Sequence, residues 1–182
     1  MAESNPGNGA AAPADGAGSN SQADAGVVFN MQKVYVKDMS MEIPHAPAIF
    51  LETEPPSLET QLNIDAQNFS EALYELVVTA TVTTRIKDRV AFLVEMRQAG
   101  IFEIRNFPQD QMDALLGIHC AGTLYPYLRA NVADIVVRAG FPALHLPNVN
   151  FEAFYAQRLQ QIEEAKRTGA EPPATTIIAP QH

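Results

Sequence analysis

Apolar residues recur at every second position through much of the chain up to Ile104, and at every third or fourth position beyond Pro108. A period of two sets one face of a strand against a core, whereas a period near 3.6 lays one stripe along a helix. Strands first and helices after predict an α+β fold.

Four strands are expected. The first runs from about Val28 to Ile43, and in its second half Asp38, Ser40 and Glu42 alternate with Met39, Met41 and Ile43. The second covers Leu58 to Ile64, and the third covers Glu71 to Arg85 with the β-branched content that strands favour. After a short turn, Ile86-Lys87-Asp88, the fourth runs from Arg89 to Ile104. It sets Val90, Phe92, Val94 and Met96 on one face and Leu93, Glu95 and Arg97 on the other. Short connections between the later strands imply antiparallel neighbours. Mixed faces such as the Thr-rich third strand suit a sheet packed on one side and wet on the other.

The segment between the first two strands, residues 44–57, carries Pro44, Pro47, Pro55 and Pro56, so it is a loop, although Ile49, Phe50 and Leu51 make it unusually apolar. Beyond Pro108, Met112, Leu115, Leu116 and His119 begin a helix for which Asp110 is the expected N-cap. Leu124, Leu128, Val132, Ile135 and Val136 continue it to Gly140 and Pro142, with a kink or break expected at Pro126. A last helix, capped by Asn150, carries Phe151, Phe154, Tyr155, Leu159 and Ile162 as its stripe. Small residues Ala114, Gly117 and Ala121 line one side of the long helix. They serve either close packing within the subunit or an oligomer interface.

Residues 1–26 lack aromatic and β-branched side chains and are expected to form a disordered tail; residues 168–182 read as a second flexible tail, leaving 27–167 as the folded domain. The first 26 residues also lack Lys, Arg and any aliphatic block, and no apolar run is long enough to span a bilayer, so a cytoplasmic protein without direct membrane insertion is expected. One cysteine, Cys120, forbids an internal disulfide.

The net charge of −9 is unevenly spread. Between Lys37 and Arg85 there is no lysine or arginine, against Asp38, Glu42, Glu52, Glu54, Glu59, Asp65, Glu71 and Glu75. Such a surface repels phosphate backbones, which argues against nucleic-acid binding; it serves solubility or attracts a basic partner. Enzymatic chemistry is not apparent. The histidines His45, His119, His145 and His182 make no metal-ligand spacing, no Gly-rich phosphate loop follows a strand, and no cofactor is implied. His119 and Cys120 are adjacent, but neighbours on a helix point about 100° apart and do not face each other.

Three stretches together resemble the SecB family: VYVKDMSMEIPHAP from Val34 to Pro47, AFLVEMRQAGIF from Ala91 to Phe102, and LYPYLRANVADIVVRAGFPALHLPNVNFEAFY from Leu124 to Tyr155. The resemblance implies a four-stranded antiparallel sheet with long helices on one face, assembled as a homotetramer, a dimer of dimers, in which Ala114, Gly117 and Ala121 would lie at an oligomer interface. It implies a chaperone that holds unfolded preproteins and delivers them to the SecA motor. The positions matching its SecA contacts are Asp38, Glu42, Leu93 and Glu95. Those matching residues tied to client binding or assembly are Val94, Met96 and Gln98, to which Phe50 and Phe154 are added as groove linings or core. A relative of the same fold dedicated to one partner, such as an antitoxin, is the alternative.

Overall fold

The computed structural model describes residues 26–169. The expected tails therefore lie outside the described residues, apart from Gly26, Thr168 and Gly169. Four antiparallel strands, β1 (Val28–Glu42), β2 (Ser57–Ser70), β3 (Leu73–Ile86) and β4 (Arg89–Arg105), form one sheet in the order β1-β4-β3-β2. Sequence alternation found all four, but β2 runs six residues past its expected end at Ile64, through Asp65 to Ser70. Its face pattern fades there because both sides become exposed.

The hairpins β2–β3 and β3–β4 close over tight turns in which Ala72 and Lys87 take positive φ. β1 and β2 occupy opposite edges, so the segment joining them must cross three strand spacings, about 14 Å. The four prolines fit this role, and Ala48–Leu51 forms a short 3-10 turn within it.

On the other side of Pro108, Gln109–Gln111 is a 3-10 turn, followed without a break by α1 (Met112–Ala114), a π-helical segment (Leu115–Cys120) and α2 (Ala121–Arg138). Asp110 lies within the 3-10 turn and caps nothing, a correction to the expected N-cap. Pro126 does not break α2 either; the departure from α-geometry lies upstream, where the π turn widens the helix. α3 (Phe151–Thr168) begins as expected, with the Asn150 side chain accepting a bond from Ala153 N at 3.0 Å.

α2 lies across β3 and β4. Leu124, Leu128, Val132 and Val136 bury against Val78, Val82, Val94, Met96 and Phe102 in a continuous apolar core. Gly100 permits this approach: a Cβ there would stand 2.7 Å from Leu124 Cδ2 and 3.0 Å from the Phe102 ring. No helix of the described residues is long and apolar enough to cross a membrane.

Candidate functional site

The sheet face turned away from the helices carries an ordered set of polar rows. Directly opposed residues of antiparallel strands share a face. Glu42 pairs with Leu93, Ser40 with Glu95 and Asp38 with Arg97 across β1 and β4. The rows continue through Thr83, Thr81 and Thr79 of β3 to Glu59, Gln61 and Asn63 of β2. Asp38, Glu42, Leu93 and Glu95 therefore converge on one patch of two adjacent strands. Among the described residues none of its three carboxylates enters an ion pair, and Arg97 is the one cation in these rows.

Beside that patch, Glu75 is only 6% exposed. Its carboxylate accepts hydrogen bonds from the Tyr35 hydroxyl, from Lys37 Nζ at 2.7 Å and from Gln67 Nε2 at 2.6 Å. Lys37 and Tyr35 hold its carboxyl below the ordinary carboxylate value. Burial, and then the Glu75 carboxylate, push the Tyr35 hydroxyl up to about 12.

The helix side of the same strands holds an apolar groove of about 390 Å³. Its construction begins at the end of α2. Gly140 takes φ +89, its N–H bonds Val137 O at 3.0 Å, and Phe141 N–H bonds Val136 O at 3.2 Å, a Schellman stop. That turn sends Phe141 back over the sheet, where its ring centroid lies 4.8 Å from Phe92 and 5.0 Å from Phe50. Leu58, Ile86 and Leu144 complete the apolar wall. The rim is charged. Glu52 bonds Lys87 at 3.3 Å and Arg89 at 3.2 Å, and Glu54 bonds Lys87 at 3.0 Å, tying the crossing loop to the β3–β4 hairpin.

Of the residues singled out for clients, Phe50 lines this groove and is 46% exposed. Val94, Met96 and Phe154 are buried in the core, beyond a client's reach while the helices stay in place. Gln98 is 1% exposed; it donates to Tyr35 O at 2.8 Å and accepts from Asn131 at 2.7 Å, joining the edge strand to α2.

Gly117 and Ala121 also turn inward, and a Cβ on Gly117 would meet the Tyr155 ring at 3.1 Å; Ala114 is half-buried. Gly117 thus serves close packing within the subunit, the first of the two roles open to these residues. The solvent face of α2 is made by Tyr127, Ala130, Asp134 and Val137. Cys120 is fully buried, which pushes its thiol up to about 12, so it offers no thiolate to a base. Among the described residues no three metal-ligating side chains converge. Phe92, Phe141 and Leu144 were not singled out from sequence as groove residues; the stop signal Gly140-Phe141-Pro142 was the available clue.

The family model of the preprotein translocase subunit SecB matches residues 22–162. The chain belongs to the SecB family. It is 56% identical over 162 residues to the protein-export protein SecB of Cupriavidus taiwanensis, covering 88% of this chain and 93% of that one. To the protein of the same name from Burkholderia vietnamiensis it is 51% identical over 149 residues, covering 82% and 94%. Its fold is similar to that of a solved SecB-like chaperone from Mycobacterium tuberculosis, Rv1957, in complex with a ChAD peptide from the Rv1956 HigA1 antitoxin. That likeness has a TM-score of 0.58 at 12% identity and covers 66% of this chain and 90% of that one.

Proposed function

We propose that this SecB-family chain is an ATP-independent cytoplasmic chaperone without catalytic chemistry, which holds newly made preproteins unfolded and delivers them to SecA for export. One observation carries the reading: the same sheet, with β4 common to both sites, presents an aromatic groove on one face and an unpaired acidic patch on the other. A groove of this kind suits apolar segments that only an unfolded chain exposes. Binding the unfolded state opposes folding by mass action, so slow-folding clients are selected without nucleotide. The acidic patch of Asp38, Glu42 and Glu95, with Leu93 beside Glu42 at one end, suits the basic end of SecA, whose approach it would steer.

Assembly as a dimer of dimers is supported by two uncovered apolar surfaces. The edge strand β1 leaves Phe29, Val36 and Met39 exposed, with Met39 at 48%, and such an edge is normally covered or paired. The solvent face of α2 adds Tyr127 and Val137. Several grooves on one particle raise avidity for a long client.

Glu42→Lys combined with Glu95→Lys tests the reading. SecA binding is lost, while capture of denatured preprotein is retained. Loss of both, or of neither, contradicts it. Solution mass is to be that of a tetramer, and a stable monomer contradicts the assembly.

A further inference from the structure

Over the stretch where the two strands pair, β1 carries more residues, Val28–Glu42, than β4 sets against it, Leu93–Arg105. The pairing of β1 with β4 slips between Val36, opposite Gln98, and Asp38, opposite Arg97, leaving Lys37 as the extra residue of a bulge. Bulges re-aim side chains, and this one sends Lys37 across the outer face of β4 to β3, where it meets Glu75 at 2.7 Å. The passage is open because β4 presents the small Ala99 between Tyr35 and Val77. Tyr35 and Gln67 bond the same carboxylate, so Glu75 is fixed from three directions. Its side chain is 8% exposed and that of Lys37 34%, which makes this the most buried ion pair of the described residues.

The next residue after Lys37 is Asp38, a member of the acidic patch. A lysine beside an exposed carboxylate would ordinarily pair with it and blunt its attraction for a cation. Here the ammonium is directed elsewhere. We propose that Glu75 is a positioning residue for partner docking: by holding Lys37 away from Asp38, it keeps the carboxylates of Asp38, Glu42 and Glu95 open to a basic partner. The inference rests on the reading of that patch as the SecA-binding face. Lys37 and Glu75 thus act as a neutral unit whose separation would change the charge that the patch presents.

The test has a readout that does not depend on the partner. In Glu75→Gln, the carboxyl titration of Asp38, followed by carbon NMR, moves to lower pH as the released ammonium turns to it. SecA affinity falls about threefold to tenfold, with the loss shrinking at high salt. Adding Lys37→Met to that variant returns both to within about twofold of the parent, a rescue that a merely structural role of Glu75 does not give. An unmoved Asp38 titration in Glu75→Gln, or failure of the second substitution to restore it, overturns the proposal. Should Asp38 move as expected while the unaltered protein ignores SecA, the docking reading fails and the charge arrangement stands. If Glu75→Gln does not fold, the charge-neutral double variant Glu75→Gln with Lys37→Met decides: it leaves SecA affinity within about twofold, and a larger change in either direction overturns the proposal.

Discussion

Phe92 and Leu93 are neighbours in β4 that point to opposite faces: Phe92 floors the aromatic groove beneath Phe141, and Leu93 stands in the acidic patch opposite Glu42. A period of two makes this unavoidable once the strand is placed. The proposed client and motor sites thus lie on surfaces separated by the thickness of one sheet, and substitutions on one face are expected to spare the other.

The groove can be tested first. Phe50 is half exposed and packs at a tilt against Phe141, so its truncation removes groove wall with little loss of core. Phe50→Ala is expected to weaken binding of a denatured preprotein by roughly fivefold to tenfold, about 1 kcal/mol, with a nearly unchanged melting temperature. Titration calorimetry against the denatured client and a thermal melt check the two halves.

A second prediction concerns the approach of α2 to the sheet. Gly100→Ala forces a methyl to within 2.7 Å of Leu124, and the helix or its side chains must give way. Overpacking of this kind costs about 1–3 kcal/mol, more than a strand gains by exchanging Gly for Ala. Urea denaturation reads the change as a lower midpoint.

Gln98 provides a third. Its amide bonds both the Tyr35 carbonyl and the Asn131 side chain in a buried setting. Gln98→Ala leaves those groups unsatisfied and is expected to cost about 2–4 kcal/mol. In a double-mutant cycle with Asn131→Ala the two losses are to be non-additive by at least about 0.5 kcal/mol, because one bond is shared.

The Glu75 cluster makes stability depend on pH in two windows. The Glu75 carboxyl is held below its ordinary value of 4.5, chiefly by Lys37, so its contribution is present above that value and is lost as pH falls through the native one. The Tyr35 hydroxyl is raised from 10.0 to about 12, chiefly by burial, so the neutral form is favoured and stability declines as pH rises between those values. Glu75→Gln is to flatten the acid limb and Tyr35→Phe the alkaline one, as read by denaturation midpoints across pH.

Most of the sheet was legible in the sequence because Phe92, Val94 and Met96 obey one period, and their burial follows from it. Alternation likewise put Asp38 with Glu42, and Leu93 with Glu95. It could not bring β1 beside β4, since pairing between strands so distant in sequence is a tertiary outcome. The groove was legible only at Phe50. Phe92 reads as a core residue from its face, and Phe141 reads as part of a stop signal; only the Gly140 turn brings the two rings together. Gly117 and Ala121 show the converse. Small residues announce a close approach without saying what approaches, and here Tyr155 covers Gly117 from within the chain. The Lys37–Glu75 pair was hidden because a single bulge in β1 decides it.

The most direct measurement is the refolding of a slow-folding preprotein diluted from denaturant into a stoichiometric amount of this protein. Refolding is to be slowed without nucleotide, slowed as much by the protein carrying Glu42→Lys and Glu95→Lys, and slowed less by Phe50→Ala. Refolding at the same rate with and without the unaltered protein would contradict the account.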